Sequence, residues 1–137
     1  MAGYLEKANL STQFEGAYDI TSKIQEIIAR SGILSGHCIV YTAHTTAALM
    51  IVSPKDKKVL RDIVDEMNKI VPARNDFLHQ YDSPIDAAGH VKTGIVGCSI
   101  PLIVENGRAM LGGGQGVVFV DFDGPRNRSF TVKVMSD

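Results

Sequence analysis

Hydrophobic residues in this chain recur at two periods, and the switches between them mark the elements. Leu5, Ala8 and Leu10 alternate loosely with polar residues and predict an opening strand over 5–12. Ile20, Ile24, Ile27 and Ile28 form a helical stripe, with Ser22 and Gln25 at capping-box spacing and Gly32 as a left-handed stop. A helix is therefore expected from Thr21 or Ser22 to about Gly32. The β-branched and aromatic run His37-Cys38-Ile39-Val40-Tyr41-Thr42 predicts a strand, and extended geometry would put Cys38, Val40 and Thr42 on the same side as His44. Ala47 to Val52 resumes as another strand. Ser53-Pro54 opens a second helix, with Val59, Leu60, Ile63, Val64, Met67 and Ile70 as its apolar stripe and Val71-Pro72 as its end.

Ser83, Pro84 and Asp86 read as a cap, a first-turn residue with no amide to lose, and a first-turn carboxylate, so a third helix runs from here to about Gly97. Beyond Cys98 the period is two. Ser99–Glu105 and Arg108–Leu111 flank Asn106-Gly107, a strong hairpin signal because both turn residues tolerate positive φ. Val117–Phe122 and Phe130–Val134 are expected to form a second hairpin. The order of elements predicts a single α+β domain over 1–137, with a largely antiparallel or mixed β-sheet core and about three helices covering one face.

Length and composition narrow the function classes. A chain of 137 residues holds one core, and 45% hydrophobic with 21% charged residues excludes disordered and fibrous classes. A net charge of -1 leaves no electrostatic footprint for nucleic acid, though a local phosphate pocket stays open. Cys38 and Cys98 lie in apolar runs without metal or disulfide spacing and read as reduced core thiols. The start, Met1 to Glu6, lacks a basic segment and an apolar h-region, and no apolar run reaches membrane-span length. A cytoplasmic protein that binds no membrane is the expectation.

Candidate chemistry concentrates around the third helix. Asp86, His90 and Thr93 are spaced i, i+4 and i+7, which places a carboxylate, an imidazole and a hydroxyl on one face near a helix N-terminus. His79 precedes the helix. His44-Thr45-Thr46 interrupts apolar sequence elsewhere, suiting either substrate contact or a hydrogen-bonded strand junction. The glycines of Gly112-Gly113-Gly114-Gln115-Gly116 suit close backbone approach to a ligand or a bulge, but no lysine or helix follows as in nucleotide-binding loops. Arg126 and Arg128 stand in the last connection, where they can meet a phosphate, a carboxylate or water.

Five motifs in order resemble the YjbQ-like family across nearly the whole chain: His44-Thr45-Thr46-Ala47-Ala48; Asp86-Ala87-Ala88-Gly89-His90-Val91-Lys92; Gly97-Cys98-Ser99 with Pro101 and Asn106-Gly107; Leu111 to Gly116; and Gly124-Pro125-Arg126. Members are described as secondary thiamine-phosphate synthases, which join a hydroxymethylpyrimidine diphosphate to a thiazole phosphate and release pyrophosphate. The resemblance implies a compact α+β homotrimer. It also implies a small phosphorylated substrate and a polar site carried by His44, Thr45, Thr46, His79, Asp86, His90, Lys92, Gln115 and Arg126. The sequence departs from the family where an aromatic residue usually precedes Gln115, which removes a ring-stacking surface, and where Thr93-Gly94 replaces a more serine-rich pair.

Three functions follow from these residues. In the first, Lys92, Arg126 and the loop of Gly113, Gly114 and Gln115 hold phosphate with Thr45 and Thr46, Asp86 helps bind Mg²⁺, and His44 or His90 carries a proton. In the second, His44, His79, His90 and Asp86 hold Zn²⁺ or a similar divalent ion for a hydrolytic reaction, since imidazoles suit a transition metal better than Mg²⁺. In the third, the polar cluster seals a subunit interface in a non-enzymatic trimer. His44, Asp86 and His90 are the candidate catalytic groups.

Overall fold

The computed structural model describes residues 3–13 and 15–137, so Met1 and Ala2, part of the stretch read for a leader, lie outside it. The elements are β1 (Gly3–Ser11), β2 (Gly16–Asp19), α1 (Thr21–Ser31), β3 (Ser35–Tyr41), β4 (Ala47–Val52), α2 (Lys57–Ile70), α3 (Pro84–Val96), β5 (Ser99–Glu105), β6 (Arg108–Ala109), β7 (Gly116–Asp121) and β8 (Asn127–Ser136). The α+β class with three helices and antiparallel strands is as expected. The short β2 was not, because its four residues carry no period long enough to read.

The strands form two sheets rather than one. Five pair antiparallel in the order β1-β8-β3-β5-β6, and three in the order β2-β7-β4. The inner face of the larger sheet packs Val40, Leu102, Phe130 and Val132 against Ile24, Ile27 and Ile28 of α1 and against Leu49 and Phe119 of the smaller sheet. The far face of the smaller sheet packs Ala48, Val118, Val120 and Phe122 against Leu60 and Met67 of α2 and Val96 of α3. Helices therefore lie on both sides of the three-stranded sheet, contrary to the one-face expectation. The cause is β7, whose six residues are all buried, so both of its faces need cover.

The supposed second hairpin is also a correction. β7 pairs with β2 and β4, whereas β8 pairs with β1 and β3, so the segment between them carries the chain from one sheet to the other. The segments after β1 and after β3 make the same passage. All three cross at one end of the molecule, as the register shows: Ser11 lies opposite Asn127, while Gly16 and Ala47 both lie opposite Asp121.

Local signals behave as their chemistry dictates where no tertiary contact competes. Asn106 and Gly107 take φ of 53° and 73° at the β5–β6 turn. Ser83 caps α3 by accepting from the Asp86 amide at 3.1 Å. At α1, however, Asp19 rather than Ser22 satisfies the first turn, accepting from the Thr21 amide at 3.0 Å, while Gln25 turns away to donate to the Ala109 carbonyl and accept from its amide. α2 begins at Lys57, with Asp56 as its cap, and not at Ser53-Pro54. Ile70, counted in its apolar stripe, is exposed. Of the two cysteines, Cys38 is buried and its thiol is pushed up to about 11 by burial, but Cys98 is exposed.

Gly36 shows how tightly β3 and β8 meet. A Cβ there would sit 1.9 Å from the Met135 carbonyl oxygen. Gly36→Ala is expected to cost about 1–3 kcal/mol through forced separation of the two strands, read as a lower denaturant midpoint at unchanged slope.

Candidate functional site

Two of the passages between sheets, 42–46 and 122–126, run side by side, joined by the Phe122 amide donating to the Thr46 carbonyl at 2.9 Å. A buried ion pair clamps them. Arg128 donates from Nη2 to Asp121 Oδ1 at 2.7 Å and to Thr46 Oγ1 at 2.8 Å, and from Nε to Asp121 Oδ2 at 3.1 Å. Thr12, on the third passage, donates to Asp121 Oδ2 at 2.6 Å, and its amide donates to the Arg126 carbonyl. Burial alone would raise the Asp121 carboxyl, but the hydrogen bonds from Arg128, Thr12 and the Asp123 amide outweigh it and hold the carboxyl below its usual range. Asp121 was not singled out from sequence, whereas Arg128 was read with Arg126 as free to meet a phosphate, a carboxylate or water, and a carboxylate is what it meets. An acid closing an otherwise apolar strand was the available signal, since a buried charge must find a partner.

Above this clamp opens a polar cavity of about 680 Å³, lined by His44, Thr45, Asp82, Asp86, Arg126 and Asn127 among others. Helix α3 forms one wall and approaches closely because of Gly89, where an added Cβ would lie 3.2 Å from Thr46 and 3.4 Å from Phe122. That approach sets the metal-type ligands. His79 Nε2 and His90 Nε2 each lie 3.2 Å from Asp86 Oδ2, and the ligand atoms of all three residues fall within 4.8 Å of one another. The His79 and His90 rings meet edge to face with centroids 5.0 Å apart. Ligand bonds of about 2.0–2.1 Å at a tetrahedral ion place neighbouring donors about 3.3 Å apart, so the two 3.2 Å separations fit a single small cation.

The hydrogen bonding of His90 sharpens this. Its Nδ1 lies 3.1 Å from the Thr45 carbonyl, which can only accept, so Nδ1 carries a proton. In the neutral ring Nε2 is then a lone pair aimed at a carboxylate oxygen. Two lone pairs at 3.2 Å require a proton or a cation between them, and the Nδ1–H to carbonyl contact is the usual outer support of a metal-bound imidazole.

Other expected site residues are elsewhere. His44 lines the cavity but stands apart from the three-ligand cluster, its Nε2 accepting from the Ser129 amide at 3.0 Å. Burial, then the Arg128 charge, lowers its basicity against an opposing effect of Asp121, with Lys7 and Arg126 adding to the lowering. Thr45 is exposed at the cavity, and among the described residues its hydroxyl has no partner. Thr46 is buried and belongs to the Arg128 clamp. Arg126 reaches the cavity rim, paired with Asp123 at 2.8 Å and lying 4.0 Å from Asp82. Lys92 points the other way. It is buried, donates to Asn68 Oδ1 and lies over the Phe122 ring, and burial lowers its basicity. The loop of Gly113, Gly114 and Gln115 sits at the far end of the small sheet, where Gly116 pairs with Val52, five residues or roughly 17 Å of strand from the Ala47 end. There Gln115 Oε1 accepts from the Gly112 amide at 2.8 Å.

With that geometry in place, comparison with known proteins is informative. The model of the family described as UPF0047 protein YjbQ-like matches residues 6–137. The chain belongs to this family. A UPF0047 relative from Methanocaldococcus jannaschii is 37% identical over 123 residues, covering 90% of this chain and 87% of the relative. YugU of Bacillus subtilis is 35% identical over 127 residues, covering 91% and 93%. The crystal structure of a YbjQ-like protein from Sulfolobus solfataricus superposes with a TM-score of 0.90 at 28% identity, covering 98% of both chains. A family structure from Clostridium acetobutylicum gives 0.88 at 34% identity, covering 94% and 98%. The two-sheet architecture described here is thus the YjbQ-like fold. No helix among the described residues is long and apolar enough to cross a membrane.

Proposed function

We propose that this YjbQ-like protein is a divalent-metal-dependent enzyme that cleaves a phosphate ester or anhydride bond in a small phosphorylated molecule. The observation that carries the reading is the pair of imidazole nitrogens converging on one oxygen of Asp86, with the His90 proton already committed to the Thr45 carbonyl. Two nitrogen donors and one oxygen favour Zn²⁺ or another first-row ion over Mg²⁺. Such an ion supplies Lewis-acid polarisation of a phosphoryl oxygen.

The chain's own residues do the rest. Two neutral imidazoles and one carboxylate leave a divalent charge half neutralised, and that excess draws an anion into the cavity. Arg126 and the free Thr45 hydroxyl line the approach, while Asp123 holds the Arg126 guanidinium in position. Because Arg128 is spent on Asp121, Arg126 is the cavity guanidinium left for substrate.

The thiamine-phosphate synthase reaction implied by the resemblance needs binding for two phosphorylated partners. Lys92 and the glycine loop, which were to hold phosphate, face away from the cavity, so hydrolysis of one phosphorylated molecule is the better fit. The homotrimer remains part of the proposal. Ile39, Tyr41 and Ile103 are exposed on the outer face of the larger sheet and suit a subunit contact. Ile39→Asp is expected to turn a particle of three times the 14.8 kDa chain mass into monomer by sedimentation equilibrium. We place the protein in the cytoplasm, which suits its two free cysteines.

The test of function is a panel of phosphate monoesters and pyrophosphate with zinc-loaded, manganese-loaded and chelated protein. Phosphate release that needs the metal and falls at least tenfold in Arg126→Ala supports the reading. Metal-independent release, or synthase activity without hydrolysis, contradicts it.

A further inference from the structure

His44 and His90 are held in the same Nδ1–H tautomer, by contacts at opposite ring nitrogens. At His44 the Ser129 backbone amide, which can only donate, points at Nε2 from 3.0 Å. Nε2 must therefore offer its lone pair, and the neutral ring carries its proton on Nδ1. Among the described residues that Nδ1–H has no acceptor. Protonating Nε2 as well would set two N–H groups against each other, so the backbone itself resists the imidazolium form. The largest charge effects on the ring mostly add to this, Arg128, Lys7 and Arg126 opposing a cation and Asp121 favouring one, while Asp82 and Asp86 line the same cavity. His90 reaches the same tautomer from the other nitrogen, donating from Nδ1 to the Thr45 carbonyl and keeping the Nε2 lone pair for the cluster.

We propose that His44 acts as a neutral hydrogen-bond donor, presenting Nδ1–H to an anionic oxygen in the cavity, and is neither a metal ligand nor a proton carrier. The ring lines the same cavity as Asp86, Thr45 and Arg126, so the oxygen it meets belongs to the group held beside the cluster. A neutral donor has an advantage there. It stabilises charge that grows on that oxygen without competing with the metal for it and without giving its proton away. The role of the donor rests on the reading of the cavity as an anion site, whereas the tautomer does not.

Long-range ¹H–¹⁵N spectra of the imidazoles, taken between about pH 5.5 and 8 with and without zinc, read the tautomer directly. His44 is expected to show an unprotonated Nε2 and a protonated Nδ1 throughout, unmoved by zinc. A protonated Nε2, an unprotonated Nδ1 or a zinc-induced change at His44 overturns the proposal. Binding reads the donor, with inorganic phosphate as probe and zinc-loaded protein. The amide nitrogen of His44→Asn falls near the place of Nδ1 and that of His44→Gln near Nε2, while both lose the ring lone pair facing Ser129. His44→Asn is expected to bind phosphate within about threefold of the parent, and His44→Gln and His44→Ala at least about tenfold more weakly, the usual loss for a hydrogen bond to a charged group. Equal binding by all three variants overturns the donor. If the parent itself fails to bind phosphate, the anion reading falls and takes the donor's purpose with it, while the spectra still fix the form of the ring. Melting curves of the three variants separate misfolding from lost binding.

Discussion

Arg128→Ala is expected to destabilise the fold by about 3–5 kcal/mol, because it strips the partner from a fully buried Asp121 carboxylate. The guanidinium holds both Asp121 oxygens and the Thr46 hydroxyl, and the same carboxylate takes the Thr12 hydroxyl, so one substitution loosens all three passages between the sheets. A loss of this size is a large part of the 5–15 kcal/mol typical of a domain, and a drop of roughly 10–20 °C in melting temperature should register it. The pH dependence has a fixed sign. Asp121 titrates below its ordinary value in the fold, so it adds stability that is complete above the unfolded value of about 3.9 and is lost as the pH falls toward the folded one. The gap between parent and Arg128→Ala should narrow on acidification, as the orphaned carboxyl becomes neutral at less cost. A gap that stays constant down to pH about 3 would show that the pair is not what holds the passages together.

The second large effect is on metal. His90→Ala and Asp86→Asn should each weaken zinc binding at least about 100-fold, since loss of a mere supporting partner already costs 10–100-fold. His79→Ala should follow the same direction. Stability should change far less than in Arg128→Ala, because His79 is exposed and His90 about a third exposed. Competition titrations against a chelator of known affinity give the ratio, and melting curves of the metal-free variants give the control. A variant that dissociates subunits while keeping its zinc affinity would instead assign the cluster to an interface.

The parts legible in the sequence were those fixed by a few neighbouring residues. Ser83, Pro84 and Asp86 specify the start of α3 by capping chemistry alone, and Asn106-Gly107 specifies its turn by backbone freedom. Helical spacing likewise puts Asp86 and His90 on one face, and the structure keeps them there. The same spacing argues against Lys92. It lies two residues beyond His90, about 200° around the helix, so it faces Asn68 while the histidine faces Asp86 and the Thr45 carbonyl. Its place in a family motif had concealed that.

What could not be read was pairing between distant strands. β7 and β8 are adjacent in sequence with alternating or apolar text, which is what a hairpin looks like, and nothing local records that they enter different sheets. The distance of the glycine loop from the histidines follows from that same pairing. So does the isolation of His44 from the cluster, because the Ser129 amide that occupies its Nε2 comes from β8, 85 residues away.

The most direct measurement is anomalous diffraction at the zinc edge from crystals of protein purified without chelator, paired with elemental analysis of the same preparation. One zinc or neighbouring first-row ion per chain, with its anomalous peak bonded to His79, Asp86 and His90, is the expected result. A protein that carries no metal even after incubation with zinc, with a proton bridging His90 and Asp86 in place of an ion, would contradict the account.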